Sequence, residues 1–482
     1  MTLWERMQTL AAEGSAPFHM PGHKRNAALL RDLLGGATLP YGLDFTELPG
    51  LDNLQAPVDS LRDLTARAAE IWDSEACFLS VGGSSAGLLA AVRTCALRAA
   101  PGAEILVARN CHLAVWRAVE ICGLRPVILE PARTGLLGLC GSLPPETLAR
   151  ALGTDGAKQT FAAVAVTSPT YEGVCSDISA LAALTRRAGV PLLVDEAHGA
   201  HLSPASRIAP EMFPPGALSG GADIVVQSLH KTLPALTQTA LIHARGVLSD
   251  GGELARQAAF FQGTSPSYLL LGSIDLCLTL LERHGRTLFS RWADRLAQVA
   301  AAAGTWRKLR WLEDFHSDRG VFALDPGKLL MDAGSLGLTG PALAERLRAG
   351  GIEPEYASPA AVLLMTSCCD REEDVARLLA VVDDLDHAVR APLPPPDFAD
   401  LPPLPPAELP PGEAVRWARR RLPLQKAVGE LSAAYLWAYP PGVPLLLPGQ
   451  RVPPELPAWA EERAAAGCPV QGLEEGLLSV LQ

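Results

Sequence analysis

The stretch ADIVVQSLHKT, residues 222–232, decides the reading of the chain. Its apolar centre does not alternate with polar residues, which fits a strand covered on both faces of a parallel sheet. Lys231 follows at the rim of that strand, the place where α/β folds build their sites. Taken alone, such a lysine is a solvated strand end.

The same pattern repeats on both sides. Upstream lie PLLVDEA (191–197), FAAVAVTS (161–168), PVILE (126–130), EILVA (104–108) and ACFLSV (76–81). Amphipathic stretches at 85–100, 113–122, 145–152 and 177–188 separate them and read as helices. Repeated β–α alternation predicts a doubly wound, mostly parallel α/β sheet. TALIHA (239–244) follows too closely for a helical crossover, so it is expected to run antiparallel.

Further out, 268–302 reads as one or two helices. Residues 306–390 mix strand-like GVFALD and AVLLMTS with helical segments, as a smaller α+β domain would. Residues 1–55 read as an N-terminal arm of little periodicity, and 56–305 as the major domain. The stretch 391–412 holds ten prolines and is expected to be an extended linker rather than a packed element. Residues 413–482 then form a C-terminal module.

With 482 residues, 48% hydrophobic and 19% charged, the chain has the mix of a folded multidomain protein. Its net charge of −11 argues against a protein held to nucleic acid by its overall field. Ten cysteines without framework spacing point to a reduced, cytoplasmic setting. The first residues, MTLWERMQTL, carry no apolar signal region, and no run of 18 apolar residues suggests a membrane span.

Four features near the strand ends carry chemistry. Lys231 offers an amine. Asp195, closing PLLVD, puts a carboxylate on the same rim. The turn VGGSSAG (81–87) leads from a strand into a helix, and such a turn binds phosphate through amides and hydroxyls. His112 begins the helix after the next strand, where its ring can lie over a flat group. Together they match the needs of pyridoxal phosphate: a lysine for a Schiff base, an anion beside the ring nitrogen, a phosphate cup and a stacking partner.

At this point the sequence resembles the Orn/Lys/Arg decarboxylase family of fold-type I pyridoxal-phosphate enzymes, in its shorter wing-less bacterial form. The match rests on PFHMPGHK (17–24), DFTELPGLDNL (44–54), FLSVGGSSAG (78–87), ARNCH (108–112), TSPTYEG (167–173), VDEAHGAH (194–201), SLHKTLPALTQTALIH (228–243), GTSPSYLLLGSID (263–275) and YPPGVPLLLPGQ (439–450). The resemblance implies a major domain that binds the cofactor through Lys231, with Asp195 on the pyridine nitrogen. Ser84, Ser85 and Ala86 would hold the phosphate, helped by Ser228 and His230. His112 would stack on the ring, Ala197 would pack on its other face, and His198 would line the pocket. Thr264 and Ser265 would reach the phosphate of a neighbouring subunit, which makes a homodimer the minimal unit. The implied reaction is decarboxylation of arginine, lysine or ornithine to a polyamine precursor, with Lys231 or His230 returning a proton to the α-carbon. Asp44, Glu47 and Glu355 are candidates for the substrate's cationic end. Arg25, Asn26, Gln55, Gln425 and Gln450 depart from the family's usual residues, and the three glutamines put basic-substrate specificity in question.

Other readings compete. Gly83–Gly87 also fits G-x-S-x-G, and Asp195 with His230 would complete a serine hydrolase's order. Asp195, Glu196, His198 and His201 could ligate a metal, and His19 and His23 stand four apart across a proline. Within pyridoxal-phosphate chemistry, an aminotransferase or carbon–sulfur lyase is the runner-up, although VLLMTSCCD (362–370) offers no carboxylate-clamping arginine. A non-catalytic cofactor-binding homologue is the last.

Overall fold

The computed structural model describes residues 1–13, 20–21, 24–33, 39–134, 139–153, 161–249, 252–311, 320–388, 391–393, 401–438, 442–465 and 469–482. His19 and His23 lie outside them.

The apolar runs form strands β1 (Ala76–Ser80), β2 (Glu104–Ala108), β3 (Arg125–Leu129), β4 (Val164–Thr167), β5 (Val174–Cys175), β6 (Leu192–Asp195), β7 (Ile224–Ser228) and β8 (Ala240–Ala244). Seven of them make one sheet in the order β1-β8-β7-β6-β4-β2-β3. β3, β2, β4, β6 and β7 are parallel, and β8 runs antiparallel to both β7 and β1. The eleven residues from Leu229 to Thr239 leave no room for a helical crossover, which is why β8 reverses.

Successive side chains on a strand point to opposite faces, so each continuous apolar run feeds two cores. Leu106, Val166, Val194, Val225 and Leu241 enter one core, beneath helices Ser60–Trp72, Ile178–Ala188 and Tyr268–Ala303. Ile105, Val107, Leu193, Ile224, Val226 and Ile242 enter the other, with Leu88, Val92 and Trp116 of helices Gly83–Arg98 and Leu113–Cys122.

The segment expected as two helices is one, Tyr268–Ala303, of 36 residues, spanning about 54 Å. Its N-cap Ser267 accepts from the Leu270 amide. The arm differs from expectation as well. Helix Leu3–Ala12 opens with a capping box in which Thr2 and Glu5 satisfy each other's backbone amides, and it buries Leu3 and Met7 against the long helix. Gly272 permits that approach, because a Cβ there would meet Trp4 Cε3 at 3.0 Å and Met7 Sδ at 3.1 Å. The short amphipathic repeat is hidden in sequence by the proline- and glycine-rich residues after it.

Strands β9 (Arg310–Trp311), β10 (Ala323–Leu324), β11 (Lys328–Asp332), β12 (Tyr356–Ala357) and β13 (Ala361–Met365) follow. Four form an antiparallel sheet, β12-β13-β11-β9, carrying helices Gly340–Ala349 and Glu372–His387. GVFALD does not join it as expected. Its centre, β10, pairs instead with β5 and ties the smaller sheet's entry to the larger unit.

Residues 419–482 add two short hairpin-like pairs and helix Leu456–Ala465 around Leu424, Leu436, Leu445, Trp459 and Leu478. Residues 401–412, expected as part of an extended linker, are held to the rest of the protein through their carbonyls. Buried Arg109 donates to the Pro402 carbonyl at 2.6 Å, and Gln450 Nε2 donates to the Pro405 carbonyl at 2.6 Å. A proline carbonyl remains a full acceptor although the ring nitrogen has no proton to give, so a proline-rich strand can still be pinned.

Candidate active site

The C-terminal ends of the parallel strands open into a cavity of about 500 Å³. Strand β6 ends on Asp195, strand β7 ends on Ser228, and the one-turn helix Leu229–Thr232 carries His230 and Lys231 to the rim. From the far side come Ser84 and Ser85, at the start of helix Gly83–Arg98, and His112, the N-cap of helix Leu113–Cys122. Ser84, Ser85, His112, Asp195, Ala197, His198, Ser228, His230 and Lys231 all line this one space. Ala86 is buried in its helix behind the lining, and Thr264 and Ser265 are exposed outside the cavity of their own chain.

Each ring has a defined role in the hydrogen-bond pattern. His112 Nδ1 accepts from the Ala114 amide at 3.1 Å, which leaves the proton of the neutral ring on Nε2. His230 Nδ1 stands 3.1 Å from the Thr239 carbonyl and donates to it, leaving Nε2 with a lone pair. His198 lies between two lysines, with Lys231 Nζ 3.0 Å from Nε2 and Lys328 Nζ 3.2 Å from Nδ1. The Tyr171 ring covers His198 at 4.5 Å between centroids.

Burial dominates the electrostatics. It pushes the Asp195 carboxyl up, while His112 and Lys231 pull it back. It pushes Lys231 down against the pull of Asp195 and Glu355. His198 falls well below the usual imidazole range through burial and then the Lys328 and Lys231 cations, and burial lowers His112 and His230 too. The histidines are therefore neutral near pH 7.

The pattern fits pyridoxal phosphate. Ser228 Oγ is buried, lines the cavity and has no hydrogen-bond partner among the described residues, and the N-terminal serines of helix Gly83–Arg98 line the same space. Asp195 is a buried carboxylate whose charge a protonated ring nitrogen would relieve.

The serine-hydrolase reading is not supported by the geometry. Among the described residues Asp195 accepts from the Ala197 amide at 3.2 Å, and His230 Nδ1 is held by Thr239, so no Asp–His pair forms. The acids and histidines of VDEAHGAH diverge rather than converge. Glu196 accepts from the Ala217 amide and from Gln227, while His201 pairs with Asp325 at 3.1 Å.

Glu172 and Lys328 are the residues the sequence did not single out. Glu172 sits within TSPTYEG, is 2% exposed, lines the cavity, and is pushed up by burial. Glu355, a sequence candidate, does not itself line the cavity, but it accepts at 2.5 Å from the hydroxyl of Tyr171, which does. Asp44 and Glu47 do not line the cavity, nor do Arg25, Asn26, Gln55, Gln425 and Gln450. Gln450 instead folds a turn, accepting from the Leu447 amide at 2.7 Å, and Gln425 donates to Glu461 on the surface. None of these departures alters the cavity wall of this chain.

Comparison with known proteins agrees with this geometry. The model of the Orn/Lys/Arg decarboxylase major domain matches residues 2–374. The arginine decarboxylase of Bacillus subtilis is 28% identical, with 100% of this chain and 97% of that protein covered. The lysine decarboxylase of Francisella novicida shares the fold at a TM-score of 0.81 and 18% identity, over 100% of this chain and 81% of that one. SPT solved with PLP shares it more loosely, at a TM-score of 0.51 and 13% identity over 70% of this chain and 81% of that one. The architecture is that of the fold-type I pyridoxal-phosphate enzymes, and the chain belongs to the Orn/Lys/Arg decarboxylase family.

Proposed function

We propose that this protein decarboxylates a basic amino acid, arginine first among them, with pyridoxal phosphate held at Lys231. The observation that carries the reading is the convergence of Lys231, Asp195, His112 and the Ser84–Ser85–Ser228 hydroxyls on one cavity. The relatives' names favour arginine as substrate.

When bound, the cofactor supplies a protonated ring that draws electrons from the substrate's α-carbon as the carboxylate leaves. The chain's own groups do the rest. Asp195 would hold the ring nitrogen's proton, His112 would be the side chain placed to pack on the ring, and the serine hydroxyls would hold the phosphate. Glu172 and Glu355 face the cationic end of the substrate. His230 presents a lone pair rather than a proton at Nε2, so Lys231 is the group that returns a proton to the α-carbon. Thr264 and Ser265, exposed here, would meet the phosphate of a partner subunit in a homodimer.

The product is a polyamine precursor. The nine described cysteines are free thiols, in keeping with a cytoplasmic setting, and no described helix is long and apolar enough to cross a membrane. The test is CO₂ release from arginine, lysine and ornithine by wild type and Lys231→Ala. Loss of both turnover and the visible band of the lysine-bound cofactor in the variant is expected. Turnover by a colourless wild type would overturn the cofactor assignment, and a coloured wild type inert on all three amino acids would overturn the substrate.

A further inference from the structure

The turn Leu236–Thr239 follows Lys231 and belongs to no helix or strand, yet it is fastened to three elements. The Leu236 amide donates to Ser273 Oγ of the long helix at 2.7 Å, and the Thr239 hydroxyl closes the turn on the Leu236 carbonyl at 2.7 Å. The Thr239 carbonyl accepts from the Leu229 amide and from His230 Nδ1, each at 3.1 Å, at the base of the helix that carries Lys231. The carbonyl just before it, that of Gln238, accepts instead from the Gly83 amide at 2.9 Å, where helix Gly83–Arg98 begins. One turn therefore couples the lysine to the expected phosphate cup.

Two neighbouring carbonyls aimed at different elements need a sharp bend in the chain. Gln238 supplies it with a left-handed backbone, φ +79°. Among the described residues that line the cavity, it is the one other than glycine with such a φ. Glycine adopts this conformation freely, whereas a residue with a Cβ is strained in it. If the backbone alone mattered, glycine would serve, so the side chain is the part that needs a use.

The side chain lies where a use exists. A Cβ built on Gly83 would lie 3.9 Å from Gln238 Cγ, so the glutamine stem passes beside the first residue of the helix whose next two, Ser84 and Ser85, line the cavity. Gln238 is exposed there, at the rim. Lys231 is the one lysine in the cavity lining, and no arginine stands among the lining residues. A phosphate in the cup must then be met chiefly by neutral donors, and a carboxamide N–H is one at any pH.

We propose that Gln238 is a further cofactor-holding residue: its left-handed backbone carries the side-chain amide over the start of helix Gly83–Arg98, where Nε2 donates to the phosphate of pyridoxal phosphate held by Ser84, Ser85 and Ser228.

The inference rests on the reading of that helix start as the phosphate cup, and the test separates the two. Apo-protein is titrated with pyridoxal phosphate and with pyridoxal, which keeps the aldehyde and ring but has no phosphate. Each Kd is read from the visible band for wild type, Gln238→Gly, Gln238→Glu and Ser84→Ala/Ser85→Ala. Gln238→Gly keeps the left-handed turn without strain, so its apo form is expected to unfold at a temperature no lower than wild type. Its Kd for pyridoxal phosphate is expected to rise by about 10-fold, while its Kd for pyridoxal stays the same. Gln238→Glu sets a like charge beside the phosphate at the same side-chain length and is expected to weaken pyridoxal phosphate further, again sparing pyridoxal. If Gln238→Gly binds pyridoxal phosphate as wild type does while Ser84→Ala/Ser85→Ala loses it selectively, the cup stands and the role of Gln238 falls. If Gln238→Gly weakens both ligands equally, the turn acts on Lys231 and not on the phosphate, which also overturns the proposal. If Ser84→Ala/Ser85→Ala changes neither Kd, the cup reading itself fails and the proposal goes with it.

Discussion

The Tyr356 hydroxyl donates to the Glu172 carboxylate at 2.8 Å, joining the smaller sheet to the floor of the cavity. Tyr356 is itself pushed far above its usual range by burial and by that carboxylate, so it remains a donor at any working pH.

This pair sets the first prediction. If Glu172 faces the cationic end of the substrate, Glu172→Gln raises KM for arginine by about 10- to 100-fold, with a smaller loss in kcat. Tyr356→Phe removes one hydrogen bond to a charged group and raises KM by roughly 10-fold. Steady-state kinetics on the two variants check both numbers. An unchanged KM in Glu172→Gln removes this residue from substrate binding.

Asp195→Asn leaves shape and burial intact but removes the anion beside the ring. Turnover is expected to fall by about 100- to 1000-fold while Lys231 still captures cofactor and the visible band survives. Absorbance and CO₂ release measured on one preparation separate binding from chemistry.

Glu196 provides a pH test away from the cavity. Burial pushes its carboxyl up to about 8, even though Gln227 Nε2 and the Ala217 amide donate to it at 2.7 Å. A folded value above the unfolded one means that the protonated form is the stabilising one. Its contribution is full below the ordinary carboxylate value of 4.5 and is lost as pH rises toward about 8. Glu196→Gln is therefore expected to unfold within about 1 kcal/mol of wild type near pH 5 and to be the more stable protein at pH 9. Urea titrations at the two pH values test this, and parallel stability curves would contradict it.

Asp275 is 1% exposed and takes a hydrogen bond from Arg67 at 2.5 Å and from the Trp4 amide at 2.9 Å. Arg67 also grips Glu282, which raises its affinity for its proton further. Removing the arginine strands a buried carboxylate, so Arg67→Met is expected to cost about 3–5 kcal/mol. The double variant Arg67→Met/Asp275→Leu should recover most of it, as chemical denaturation would show.

Lys231, Asp195 and His112 were legible in the sequence because each stands at the end of an apolar run or the start of the helix after it. A parallel sheet brings all such ends to one edge, so sequence position alone predicts their meeting. Glu172 and Lys328 gave no such signal. Glu172 lines the cavity from the turn before β5, and Lys328 reaches His198 from the start of β11, just after β10 pairs with β5; a two-residue strand has no periodicity to read. Gln450 misled for a related reason: a glutamine in place of a carboxylate looks like lost specificity, when its amide closes a turn and holds Pro405. Helix Leu3–Ala12 was obscured by its punctuated surroundings, although Thr2 and Glu5 stand at capping-box spacing.

The contacts of Arg109 reach beyond stability. From the end of β2 this guanidinium holds the carbonyls of Pro402 and Pro444, next to Val443, which lines the cavity, and Trp437 and Leu447 complete the core under helix Leu113–Cys122. The region matched by the family model ends at residue 374, yet residues well beyond it complete its core and its cavity wall. Excising the residues beyond 374 would strip Val443 from the wall of the reaction chamber and bare the oily flank that Trp437 and Leu447 now cover.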